Sequence, residues 1–106
     1  MDNRRSLIRW EIKKEAKVWL PVIQSSIKCM VENMSLIGMR VSFDEKLPPG
    51  DPLNMSFVLS DRYTQFKTEA RIQWSQVCYD KYVYGLSFRN ISDEDRGKIY
   101  WYIQLL

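Results

Sequence analysis

The stretch Phe66-Lys67-Thr68-Glu69-Ala70-Arg71-Ile72-Gln73-Trp74 decides the fold class. Phe66, Thr68, Ala70, Ile72 and Trp74 form one face and the charged or amide residues form the other, the period of a half-buried β-strand. Working outward, Leu53, Met55, Phe57 and Leu59 repeat the pattern before it, and Tyr82, Tyr84, Leu86 and Phe88 repeat it after. Met39, Val41 and Phe43 form a fourth strand, with Arg40 and Ser42 outward, and Ile27, Cys29 and Val31 a fifth, with Lys28 and Glu32 in water. Ala16 to Ile23 is a sixth, rich in β-branched and aromatic residues, with Pro21 marking a bend or edge. Short strands divided by turn residues predict an antiparallel barrel or sandwich.

The breaks have their own chemistry. Leu47-Pro48-Pro49-Gly50-Asp51-Pro52 cannot continue a ladder, because its prolines lack donors and Gly50 accepts positive φ. Ser60-Asp61-Arg62-Tyr63 and Tyr79-Asp80-Lys81 read as hairpin ends. After the last strand the period lengthens to about 3.6. Ser92 with Asp93, Glu94 and Asp95 starts a helix, a hydroxyl cap followed by carboxylates at the positive end of the dipole. Ile99, Ile103 and Leu106 then make one stripe beside Tyr102, expected to dock on an open end of the barrel. The cluster Tyr100-Trp101-Tyr102 offers either further core or a partner surface.

Composition bounds the function. The chain has 106 residues, 45% of them hydrophobic and 13% aromatic, enough for one domain with a core of its own. Its formal charge of +3 is mild and interspersed, which argues against a nonspecific nucleic-acid surface. The exception is residues 1–14, an expected flexible basic arm, where Arg4, Arg5, Arg9, Lys13 and Lys14 face only Asp2 and Glu11; residues 15–106 are expected to form the folded body. Cys29 and Cys78, with no histidine, are too few for a zinc site and read as reduced thiols. No run approaches a membrane span and no signal peptide is evident, so a cytoplasmic location is expected. Without histidine, triad, phosphate-binding loop or metal cluster, catalysis is not expected.

Two short signatures remain. Arg4-Arg5-Ser6-Leu7-Ile8-Arg9 contains R-x-x-x-R at Arg5 and Arg9, and Asn33-Met34-Ser35-Leu36-Ile37-Gly38 reads N-x-S-x-x-G. Arginine presents a planar fork of donors that matches a phosphate or the O6/N7 edge of guanine. On an extended segment, Arg5 and Arg9 project from one side roughly 13 Å apart. Asn33 and Ser35 place donors and acceptors at i, i+2, and Gly38 allows positive φ or close approach to the backbone. Each signature has a plainer reading alone, a solvated tail and a simple turn.

Together, in this order and followed by strands, they resemble the PilZ domain, a small β-barrel family whose usual ligand is the bacterial second messenger cyclic di-GMP. The resemblance runs from about Arg4 to Ile103 and implies a six-stranded antiparallel barrel with a C-terminal α-helix. It implies a non-catalytic receptor in which Arg5 and Arg9 hold phosphate and guanine groups while Asn33, Ser35 and Gly38 line the opposite side. In the family, an arginine in the place of Arg4 accompanies a stacked pair of cyclic di-GMP molecules. Asn33 stands where aspartate is commoner, and Met34, Leu36 and Ile37 are bulkier than usual. The implied partner is a downstream protein of motility or exopolysaccharide systems; cyclic di-GMP is a ligand and no cofactor is implied. Trp74 reads first as core, with guanine stacking as its alternative. A PilZ-like interaction module that binds no nucleotide is the alternative function, and a small single-stranded nucleic-acid binder the third.

Overall fold

A computed structural model describes residues 9–106. Six strands, β1 (Trp10–Leu20), β2 (Ser25–Met34), β3 (Gly38–Phe43), β4 (Leu53–Val58), β5 (Gln65–Cys78) and β6 (Lys81–Arg89), precede one helix, α1 (Asp93–Gln104). Every pairing is antiparallel, and the order β1-β2-β3-β6-β5-β4 closes into a barrel when Val18 of β1 pairs with Phe57 of β4. The seam is short, Lys17 to Trp19 against Ser56 to Val58, and it joins the two outer strands of the sheet.

The inward faces follow the period of two. Val18, Leu20, Val31, Met39, Val41, Phe43, Leu53, Met55, Phe57, Phe66 and Ala70 are all buried in one cluster. Phe57 stacks on Phe66 with centroids 5.0 Å apart, and Phe66 meets Phe88 edge-on. The proline-rich loop is anchored by Leu47, whose side chain is buried and whose amide donates to the Tyr84 hydroxyl at 2.9 Å. Gly50 within it takes the positive φ expected there. Asp61 closes the β4–β5 turn by accepting from the Tyr63 and Thr64 amides.

The first strand differs from its expected span. β1 begins at Trp10 and ends at Leu20, and Pro21 to Gln24 form the turn into β2. Residues 10–14, expected in the basic arm, therefore belong to the barrel; their lysines hid the strand because they line its exposed side while Ile12 faces inward.

Burial sets one titration. Desolvation pushes the Cys29 thiol up from 9.0 to about 12. The unfolded chain ionises first, so the contribution of this buried thiol is complete below pH 9.0 and is lost as pH climbs toward about 12. Urea titrations above pH 9 will show wild type losing stability faster than Cys29→Ala; parallel curves would refute this.

The Ser92 hydroxyl accepts from the Asp95 amide at 3.0 Å, as its cap position predicts. α1 packs on β5 and buries Ile99, Tyr102 and Ile103, with the Tyr102 hydroxyl bonded to Ser60 Oγ at 2.6 Å. Leu106, expected on this stripe, is exposed, because the helix ends at Gln104 and the chain leaves its register. Tyr100 and Trp101 are exposed too. Gly97 has open space where a Cβ would stand. Gly97→Ala will therefore stabilise the fold by about 0.5–1 kcal/mol, read as a rise of a few degrees in the thermal midpoint. A fall would show that the glycine is required for packing.

Candidate functional site

The second signature spans the end of β2 and the start of β3, and its residues divide into two groups. Ser35 is fully buried: its hydroxyl donates to the Gly38 carbonyl and accepts from the Ile37 and Gly38 amides, each at 3.2 Å. The Ser35 amide also donates to the Gly38 carbonyl at 2.8 Å. Gly38 is buried as well, with φ outside the left-handed region. A Cβ on it would lie 2.3 Å from the Leu86 carbonyl oxygen, so the glycine is required by the close main chain of β6. Ser35 and Gly38 thus build the turn.

Asn33 faces out instead. A strict period of two would send it inward with Cys29 and Val31. Glu32, however, is an extra residue against β3, since Val31 pairs with Val41 and Asn33 with Arg40. This bulge reverses the alternation, leaving Met34 fully buried and Asn33 half-buried at the surface. There Arg9, itself exposed, donates from Nη1 to Asn33 Oδ1 at 3.2 Å. The first signature's last arginine therefore meets the second signature's first residue. Arg4 and Arg5 lie outside the described residues.

The same device moves Trp74. Ile72 pairs with Leu86 and Trp74 with Gly85, so Gln73 is extra on β5. The indole, read from the alternation as core, is 43% exposed. The correction has a local cause, a one-residue bulge that composition does not announce. A third irregularity lies between Glu11 and Lys14 on β1, where Lys13 adopts a φ of 51°.

These shifts bring one residue from each of five neighbouring strands into register: Glu11, Asn33, Arg40, Gly85 and Trp74. Strand spacing of about 4.8 Å puts Asn33 and Trp74 roughly 14 Å apart along the barrel surface. Between them the Arg40 guanidinium carbon lies 5.6 Å from the Trp74 ring centroid, a cation–π contact. Sequence reasoning missed Arg40, although its place two residues after Gly38 on the outward face was a usable signal. It also missed Gly85.

Chemically the row offers one guanidinium group, an amide, an aromatic face and, at its β1 end, the Glu11 carboxylate, and Arg9 adds a second guanidinium at Asn33. Such a set binds phosphate, the edge of a purine and its flat ring at once. Grooves of about 930 and 520 Å³ open elsewhere and include none of these five residues. Among the described residues no group of three or more His, Cys, Asp or Glu could hold a metal, and no helix is long and apolar enough to cross a membrane.

Comparison with solved structures places the barrel among similar folds. Escherichia coli YcgR in complex with c-di-GMP superposes with a TM-score of 0.68 at 15% identity, over 92% of this chain and 44% of that one. The Bacillus subtilis inhibitor of motility MotI/DgrA gives 0.67 at 15% identity, over 92% and 48%. Borreliella burgdorferi PlzA in complex with c-di-GMP gives 0.54 at 17% identity, over 97% and 38%. The chain spans less than half the length of each. Comparison with curated proteins found no match. The PilZ domain matches residues 3–105, nearly the whole sequence, and the six-stranded barrel with its C-terminal helix is the fold shared with these structures, so the chain belongs to the PilZ domain family.

Proposed function

We propose that this chain is a non-catalytic receptor for cyclic di-GMP, gripped between the arginines of the N-terminal segment and the row formed by Asn33, Arg40 and Trp74. The observation that carries the reading is the Arg9–Asn33 hydrogen bond, which joins the two signatures on one open face. Family membership and the two similar barrels solved with c-di-GMP support the ligand's identity. Arg9 and Arg40 take phosphate or guanine edges, Asn33 donates and accepts beside them, and Trp74 supplies a stacking face. Ser35 and Gly38 act by shaping the turn that presents Asn33 and Arg40. Arg4 and Arg5 extend the grip by the logic of R-x-x-x-R, and Arg4 directs it toward a stacked pair of ligands. Closure of the basic arm over the dianion changes the surface offered to a downstream partner, and the similarity to an inhibitor of motility points to motility as its setting.

Calorimetric titration of cyclic di-GMP into wild type and Arg9→Ala tests this. The variant should bind at least tenfold more weakly, about 1.4 kcal/mol, with an unchanged thermal midpoint. Equal affinities would remove the clamp, and an absence of binding by wild type would remove the receptor. A PilZ-like interaction module that ignores nucleotide is the second reading, favoured by the exposed Tyr100 and Trp101 on α1 and Leu105 just after it. It predicts no calorimetric signal from wild type and a partner lost on Trp101→Ala.

A further inference from the structure

Gly85 sits in the interior of β6, between Tyr84 and Leu86, where glycine weakens a strand relative to alanine. Its φ lies outside the left-handed region, so the backbone does not demand glycine there. The demand is spatial. A Cβ at this position would stand 2.1 Å from Trp74 Nε1, 2.4 Å from Cε2 and 2.7 Å from Cδ1. All three nearest atoms belong to the indole. This differs from Gly38, whose absent Cβ makes room for main chain.

The register explains the contact. Gly85 pairs with Trp74 on one side and with Arg40 on the other. The indole leaves β5 and lies over the bare backbone of β6, which brings its ring toward β3 and the Arg40 guanidinium. A side chain on Gly85 would stand in its path.

We propose that Gly85 is a positioning residue of the binding face: its missing Cβ forms the slot that lays the Trp74 indole across β6 beside Arg40, where the exposed ring receives a guanine. This rests on the cyclic di-GMP reading and adds to it how the stacking surface is held. Gly85 itself touches no ligand. The bulge at Gln73 supplies the direction and Gly85 the space, and neither suffices alone. Laying the ring flat before the ligand arrives reduces the ordering cost of binding.

A double-mutant cycle with Gly85→Ala and Trp74→Ala decides it, read by calorimetry with cyclic di-GMP and by the Trp74 indole N–H resonance. Gly85→Ala should shift that resonance and weaken binding about tenfold, within the range of one lost base–aromatic stack. In the Trp74→Ala background it should cost nothing further, because the variants remove the same contact. An equal loss in both backgrounds would mean that alanine acts by disturbing β6, and wild-type affinity with an unmoved indole signal would mean that no slot exists; either result overturns the proposal. Should wild type fail to bind, the receptor reading falls, while the indole signal still decides whether Gly85 places the ring. If Gly85→Ala does not fold, nuclear Overhauser contacts between the Gly85 α-protons and the indole of wild type must be present, and their absence is decisive.

Discussion

Gly38→Ala will lower stability and ligand binding together, whereas Asn33→Ala will lower binding alone. The new methyl carbon would meet the Leu86 carbonyl oxygen at 2.3 Å, with the Leu86 carbonyl carbon and Ser87 Cα at 3.3 Å. These are main-chain atoms of the β3–β6 ladder, where Gly38 pairs with Ser87 and Met39 with Leu86. They cannot turn aside as a side-chain tip can, so the ladder must open at its first rung. The Ser35 turn, tied to both the amide and the carbonyl of Gly38, opens with it. The expected loss is about 2–3 kcal/mol, a fall in thermal midpoint of roughly 10 °C. On the proposed reading binding falls with it, because Asn33 and Arg40 flank that turn. Asn33 is half-buried at the surface, and its alanine variant should stay within about 0.5 kcal/mol of wild type. Differential scanning calorimetry beside ligand titration separates the cases. A Gly38→Ala protein as stable as wild type, yet unable to bind, would place the glycine in contact with the ligand instead.

Phe57→Ala is expected to have the larger effect on the fold. Phe57 is fully buried, pairs with Phe66 on β5 and with Val18 on β1, and so sits at the seam that closes the barrel. Its ring stacks on Phe66 at an interplanar angle of 14°. Truncation removes that contact and leaves a cavity between strands that cannot collapse without unpairing, at a cost of about 3–5 kcal/mol. Against a total stability of about 5–15 kcal/mol for a domain of this kind, the variant will be partly unfolded or close to it. Urea unfolding measures the loss, with Trp101→Ala on the exposed face of α1 as the control. A change below about 1 kcal/mol would mean that the seam is not held by this ring.

The contrast between these residues shows where the sequence was legible. Phe57, Phe66 and most inward positions of β2 to β6 could be read from alternation, because burial is a demand each strand meets locally; the first half of β1 and the outward turn of Trp74 could not. The helix start at Ser92 was legible for the same reason, a cap being a contact three residues long. Arg9 and Asn33 were legible as a pair only through the order of two signatures. Ser35 and Gly38 were visible as motif members, but their work lies in hydrogen bonds and main-chain packing that a motif does not express.

Alternation and capping along the chain were enough for the strand count, a barrel or sandwich, the cap of α1 and the basic start, and the two signatures narrowed the class to a barrel. Which residues share a face is settled only when the strands pair. Single extra residues at Glu32 and Gln73 turn Asn33 and Trp74 outward, and the pairing of β2, β3, β6 and β5 then sets Asn33, Arg40, Gly85 and Trp74 in one row. The physical reason is that a bulge is chosen by the pairing of two strands. Its energy depends on the partner's register, and no window of one strand contains that information.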